Sequence, residues 1–312
     1  MAADGQGLFP LETTQFSTNL ELKLQQMGSK LRGRLREGFH VGKMASPVNQ
    51  VGAIQSKAPA GRYAPKNRTD SDFTRRWVFP TDREIDQLID SFDELKTIVD
   101  PKSAYVENAA HACGRDWDDA IITAATGNAS IGQDAASLTT EDFTVGATNI
   151  YQVASNFGAS AAVGLTVAKL IETKRILRHY HNDLDADPLT LIIGSSQEAD
   201  LLKQAQVTSA DFNGDRPVLV DGKVVRFMGF DIVVMERLPL TTTNVRGCIA
   251  FVKSGMYLGM WKDTTNRVSI RNDLSSEPYD LYTSHSFGAT RTQLGKVIQV
   301  LAADTSGADI TP

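Results

Sequence analysis

DGKVVRFMGFDIVVMERLP, residues Asp221–Pro239, is the stretch on which the reading of the fold turns. Gly222 and Lys223 stand side by side, as they do in a loop that cradles phosphate. The same residues also fit plain β-structure: strand, turn, strand, stop. The phosphate reading fails on two counts. The chain has no GxxxxGK(S/T) pattern, and this Asp-Gly pair joins two apolar, β-branched runs rather than a strand and a helix. Asp-Gly accepts the positive φ angles of a tight turn, so VLV, DG and KVVRF read as a hairpin. Gly229 marks a bulge or bend, Phe230–Met235 a further strand, and Leu238-Pro239 its end.

Outward from this hairpin, the C-terminal part reads as strands: CIAFV, MYLGMW, RVSIR and KVIQVLA. Upstream, Pro188–Ile193 is a short buried strand. Ser195 or Ser196 caps a helix running from Gln197 to about Gln206. A helix over Val163–Tyr180 carries Val163, Val167, Leu170, Ile171 and Leu177 on one side. A longer helix starts at Asp100 and Pro101, a good N-cap and first position, and stops at Gly127 and Asn128. Val106, Ala110, Cys113, Trp117, Ile121 and Ala124 keep helical spacing along it, over roughly 35–40 Å. Residues 129–150 read as a polar connection. Near the N-terminus, after a flexible start, the spacing of Leu20, Leu24, Met27, Leu31 and Leu35 predicts an amphipathic helix over Phe16–Glu37 with a basic far end. Helices in the middle and strands at the end make an α+β chain.

Charge is segregated. Between Gly42 and Val78 seven basic residues face two acidic ones, a net +5, in a chain of 312 residues whose overall charge is −5. Val48–Ile54 and Phe73–Phe79 read as the two strands of a long hairpin with a polar tip between them. The stretch after it, DREIDQLIDSFDELKTIVD, is strongly acidic. A loop of this length is either disordered or exists to touch something else. A basic arm on an acidic body is self-complementary between copies of one chain.

Composition excludes several classes. The acidic balance is wrong for a nucleic-acid binder. Cys113 and Cys248 form no spaced pattern, which fits free thiols in a reducing compartment. The first residues lack a secretory signal and no apolar run approaches 18 residues, so a soluble cytosolic product without a membrane span is expected. No GxSxG, HExxH, CxxC or GxGxxG pattern occurs. His179 and His181 with Asp183, Asp185 and Asp187 resemble a metal cluster only loosely. Pro188 and Gly194 occupy the positions where a calcium loop needs glycine and glutamate. Asp116, Asp118 and Asp119 beside Trp117 are the one hint of acid–base work, and a solvated helix face explains Asp118 and Asp119 as well. No catalytic residue, metal or cofactor is assigned.

The order of these features resembles the major capsid proteins of tailed double-stranded DNA phages, the Hong Kong 97 fold. The segments that carry the resemblance are the basic hairpin, DSFDELKTIVDPKSAYVENAAHACGRDWDDAIITAATG, TLIIGSSQEADLLKQAQVTSADF, LVDGKVVRFMGFDIVVMERLP, and HSFGATRTQLGKVIQVLA with a Gly-Ala turn. The likeness implies an N-terminal arm over residues 1–41 and an extended loop over 42–80. It implies a peripheral domain over 81–155 and 245–312, with a spine helix at 101–127, and an axial domain over 156–244. It implies a structural protein, not an enzyme, that assembles with itself as hexamers and pentamers into an icosahedral shell around the phage genome. The chain then belongs in the virion, after assembly in the host cytoplasm. A separate scaffolding protein, a portal, decoration proteins and non-specific contact with packaged DNA are the further expected partners. The expected subunit contacts match Arg62, Lys66, Arg68, Arg75 and Arg76 of the loop to Asp82, Glu84, Asp86, Asp90, Asp93 and Glu94. Some relatives cross-link covalently. Lys57 or Lys66 with Asn266 or Asn272 would be the residues here. The rival readings are an encapsulin-like compartment of the same fold and a stand-alone α+β hydrolase.

Overall fold

A computed structural model describes residues 24–58, 61–63, 65–66, 68–89, 102–143, 150–204, 207, 219–220, 223–242, 244–275 and 277–304. The opening hairpin is β-structure. Strand β9 (Leu219–Val220) pairs antiparallel with β10 (Lys223–Val224); the Asp-Gly turn between them lies outside the described residues. Then β11 (Arg226–Phe227) turns into β12 (Phe230–Val234) through Met228 and Gly229, at φ 52° and 86°. Two successive positive φ angles define the primed turn that suits a right-twisted hairpin, so Gly229 belongs to a turn rather than to a bulge.

β12 enters a seven-stranded sheet ordered β11-β12-β8-β14-β17-β7, with β13 (Leu240–Thr242) attached to β14. β8 (Leu189–Ile193) is buried at all five positions and runs parallel to β12. That is why LTLII shows no alternation: both faces of a central parallel strand are covered. β14 (Val245–Val252), β17 (Val297–Ala303) and the short β7 (Gln152–Val153) complete it. Helix α2 (Val167–His179) and helix α3 (Ser195–Leu202) pack their apolar sides into its core. Both helices differ from expectation at their starts. Val163–Thr166 is not helical. The fully buried Lys169 ties this approach down by donating to the carbonyls of Ser155, Val163 and Leu301 at 2.7–2.9 Å, and Thr166 caps the helix. Ile171 is exposed rather than part of the stripe. α3 is capped by Gly194, whose N–H donates to Gln197 Oε1, and not by a serine.

A second sheet, ordered β1-β15-β16-β4, lies against the long helix α1 (Lys102–Thr126). Its strands are β1 (Arg36–Phe39), β4 (Thr81–Ile89), β15 (Met256–Ile270) and β16 (Tyr279–Arg291). MYLGMW and RVSIR are two ends of the single strand β15, which absorbs the polar residues between them as register irregularities at Met260/Lys262 and Lys262/Thr265. The expected Gly288-Ala289 turn lies inside β16. Gly288 is required there because a Cβ would come within 2.2 Å of the Phe79 carbonyl oxygen. Trp117, Ile121, Ile122 and Ala125 of α1 join Leu258, Met260 and Phe287 in one core. No described helix is long and apolar enough to cross a membrane.

The N-terminal helix expected over 16–37 is absent where the chain is described; residues 16–23 lie outside that range. Gly28 and Gly33 take positive φ, 69° and 86°, which breaks any helix. Leu31 and Leu35 are buried in the core of α1, whereas Leu24 and Met27 are exposed, so no stripe forms. The segment is a strap held by Asp118. That fully buried carboxylate accepts from Ser29 Oγ and Gln26 Nε2 at 2.5 Å, from Lys30 N at 2.9 Å and from Leu31 N at 3.2 Å. The strap ends in β1, parallel to β15.

The basic loop is a hairpin whose incoming strand lies three residues earlier than expected. β2 (Ala45–Val51) pairs with β3 (Phe73–Val78), and Gly52 N donates to Asp72 O at 2.7 Å to close the ladder. The presumed polar connection after α1 contributes β5 (Ala129–Gly132) and β6 (Thr139–Glu141), which extend the hairpin to the four-stranded order β2-β3-β5-β6.

Candidate assembly surface

Strand geometry sorts the acids. Successive residues of β4 project to opposite faces, so Asp82, Glu84, Asp86 and Leu88 share one face while Arg83, Ile85, Gln87 and Ile89 share the other. Arg83 and Ile89 lie on the side of α1: Arg83 is in register with the buried His285, which stands 3.5 Å from Asp116 of the helix. The three acids therefore face away from α1, and all are exposed. Two have neighbours on the same face: Tyr282 OH donates to Glu84 Oε2 at 3.1 Å, and Asp86 meets Asp280. Asp90, Asp93 and Glu94 lie outside the described residues.

On the loop, Arg62, Lys66, Arg68 and Arg75 are exposed. Arg68 Nε reaches Asp70 at 2.8 Å, but both side chains are well exposed, which leaves such a pair worth little. Among the described residues no acid pairs with Arg62, Lys66 or Arg75. Arg75 shares its face of the hairpin with Val51 and Phe73, both exposed. Arg76 is a correction to the expected set. It is 6% exposed and grips Glu141 of β6 with two nitrogens, at 2.5 and 3.1 Å. It points inward because position 76 alternates with 75, and it fastens the root of the loop. No periodicity argument flags Glu141, which lies 65 residues downstream.

The aspartates near Trp117 do structural work. Asp118 holds the N-terminal strap and Asp119 is paired with Arg237. A cleft of about 480 Å³ beside α1 is lined by Trp77, Phe79, Arg83, Asp116, Asp119 and Phe287. His285, 3.5 Å from the lining residue Asp116, is 1% exposed, and neither ring nitrogen has a hydrogen-bond partner. Among the described residues no three His, Cys, Asp or Glu side chains stand where they could hold a metal. Asp183 Oδ1 instead accepts from Asp185 N and Ala186 N, a local turn.

His285 gives this region a pH dependence. Burial lowers its pKa below the ordinary 6.5, and Arg83 adds to this, while Asp116 and Asp263 oppose it. The unfolded chain therefore binds the proton more readily. The stability tied to this group is present above pH 6.5 and lost as pH falls below it. H285F, which preserves the stack on Phe287 (ring centroids 5.1 Å apart), is expected to flatten the urea midpoint of the subunit across that range. An unchanged acid limb would assign the effect to another group.

The family model described as phage capsid protein matches residues 11–304. No curated protein sequence matches the chain. Among solved structures, the capsid of cyanophage P-SCSP1u is 15% identical with a TM-score of 0.71, covering 95% of this chain and 94% of its own. A structure from Mycobacterium phage Che8 is 15% identical with a TM-score of 0.68, over 94% and 98%. That of cyanophage Pam1 is 13% identical with a TM-score of 0.70, over 98% and 100%. At such identities these structures speak for the fold, and the fold they share spans nearly the whole chain. With the family match over residues 11–304, the chain belongs to the phage capsid protein family, and its role is the structural one of a major capsid protein.

Proposed function

We propose that copies of this chain close into an icosahedral shell of hexamers and pentamers around the phage genome. In that shell the basic loop of one copy lies on the acidic face of β4 in another. The observation that carries the reading is the pairing of two exposed, opposite-sign surfaces. Arg62, Lys66, Arg68 and Arg75 sit on a projecting hairpin, and Asp82, Glu84 and Asp86 line one outward face of β4. Each such contact is modest, and a closed assembly multiplies it.

The chain divides in this reading into an arm (1–41), a loop (42–80), a peripheral domain (81–155 and 245–312) and an axial domain (156–244). The hydrogen bonding of β14 and β17 to the sheet of β8 supports moving those two strands to the axial side. A separate scaffolding protein, a portal and decoration proteins complete the set of partners. The exposed Arg36 and half-exposed Arg34 of the strap favour it as the scaffold contact. The net charge of −5 suits a container that must not hold its DNA tightly. Assembly takes place in the host cytoplasm.

The test is electron microscopy and nucleic-acid content of particles made by the full chain co-expressed with its scaffolding protein. Closed shells that package DNA support the reading. Shells filled with an enzyme would make it a storage compartment, and a monomer or small oligomer would contradict it.

A further inference from the structure

The acidic face of β4 holds a group that loop docking alone leaves unexplained. Asp280 of β16 lies on the same face as Asp82, Glu84 and Asp86. It is diagonal to Asp86, since Asp86 is in register with Tyr282 and Asp280 with Leu88. It is 9% exposed. Its Oδ2 lies 3.6 Å from Arg271, but Arg271 directs its two best hydrogen bonds to Asp273, at 2.7 and 2.8 Å. Its Oδ1 is buried and has no donor.

A buried carboxylate oxygen without a donor is costly. The exposed carboxyl of Asp86 is the neighbour that can meet it, and a proton on Asp86 supplies the missing hydrogen bond. In keeping with this, Asp86 holds its proton to higher pH than an ordinary aspartate. The hydrogen bond to Asp280 is the first cause; desolvation and the charges of Asp280 and Glu84 add to it, and Arg271 opposes it. Among the described residues the other charged or titratable groups on this face are Asp82 and Glu84 of β4, Tyr282 of β16, Arg267 of β15, in register with Tyr282, and Lys262 of β15, whose Nζ donates to Ser284 Oγ at 2.6 Å.

We propose that the Asp86–Asp280 pair makes this face a proton-linked receptor for the basic loop of a second copy. The proposal rests on the loop-docking reading above. In the free subunit, at pH low enough for Asp86 to hold its proton, that O–H meets Asp280. An incoming guanidinium or ammonium group offers its N–H donors in place of that O–H. Asp86 swings aside as a carboxylate, and the proton passes to solvent. One positive charge replaces another, so the pair stays compensated. Docking lowers the pKa of Asp86 relative to the free subunit. Affinity therefore rises with pH through the free-state pKa and levels off above it, with a limiting slope of about tenfold per pH unit for one proton.

Calorimetry of the soluble full-length subunit with a synthetic peptide spanning residues 54–72, in two buffers of different ionisation enthalpy, tests this. Just above the ordinary aspartate pKa of 3.8, the wild type is expected to release about one proton per peptide bound. D86N, whose amide N–H satisfies Asp280 at every pH, is expected to release about one proton fewer per peptide bound. D82N, the control, is expected to bind more weakly and still release the proton. Peptide binding without proton release, or equal release by D86N, would overturn the proton link and leave loop docking standing. Absence of binding at every pH would overturn both.

Discussion

Replacing Arg291 with alanine is expected to remove on the order of 4 kcal/mol of subunit stability, enough to leave most of the protein insoluble. Arg291 is fully buried on β16, at the C-terminal end of α1. Its Nη1 donates to the carbonyls of Ala125 and Gly127 at 3.0 and 2.8 Å and lies 3.5 Å from that of Ala124. Its Nη2 donates to the Glu141 carbonyl at 3.2 Å. The last carbonyls of a helix have no partner within the helix, and a cation there also meets the negative end of the dipole. One side chain thus closes α1, fastens the segment that carries β6, and lies over the Phe143 ring at 5.2 Å.

Burial pulls its pKa down to about 10, still well above neutrality, so the group stays charged under working conditions. Alanine would leave three or more carbonyls without donors and open a cavity the size of a guanidinium. R291K is expected to recover part of the loss, since a single ammonium can serve the helix end but cannot also span to Glu141. Urea unfolding of the soluble fraction reads the effect. An unchanged midpoint for R291A would show that water replaces the guanidinium without penalty.

The triple reversal R62E/K66E/R68E is expected to reduce particle yield at least tenfold, to leave the urea midpoint of the subunit unmoved, and to be partly rescued by D82K/E84K/D86K. Exposed ion pairs contribute about 0.2–1 kcal/mol each. Reversal turns each attraction into a repulsion of like size, and closed assembly repeats the loss at every copy. The subunit is spared because these side chains are exposed and, among the described residues, their one acidic partner is Asp70, paired with Arg68. Arg76 must be excluded from the reversal: a glutamate there would face Glu141 in a buried setting, and a misfolded subunit would imitate an assembly defect. Wild-type assembly should weaken with salt, as exposed charges are screened over about 10 Å at 0.1 M. Normal yield from the triple variant would remove the charge-matching idea. Rescue by the second reversal would assign the acids to the same contact.

The parts legible from the sequence are those governed by local chemistry. LTLII reads as a buried strand, Gly229 marks the bend that the fold makes as a tight turn, and the period of Cys113, Trp117 and Ile121 gives α1 a buried face, although Ala110 of the same stripe is exposed. The basic hairpin is legible because charge segregation survives a register error of a few residues. What failed depends on long-range partners. Leu24, Met27, Leu31 and Leu35 keep helical spacing, yet the carboxylate of Asp118, about 90 residues away in sequence, takes the backbone donors and bends the strap. Residues 129–141 look like a polar link because their strands are short and extend the hairpin edge, β5 on β3 and β6 on β5, rather than burying an apolar face. Arg75 and Arg76 look alike in sequence; only the pleat, and Glu141 beyond it, separates an outward charge from an inward one. The acidic run divides as well, because β4 puts Asp82, Glu84 and Asp86 on one face and Arg83 on the other.

The most direct test of the account is a cryo-electron microscopy map of the assembled particle in which the hairpin from Ala45 to Val78 can be traced. The account predicts Arg62, Lys66 or Arg68 within about 4 Å of Asp82, Glu84 or Asp86 of a different copy. A hairpin lying on its own chain, or one whose basic tip ends in solvent with those acids bare, would contradict it.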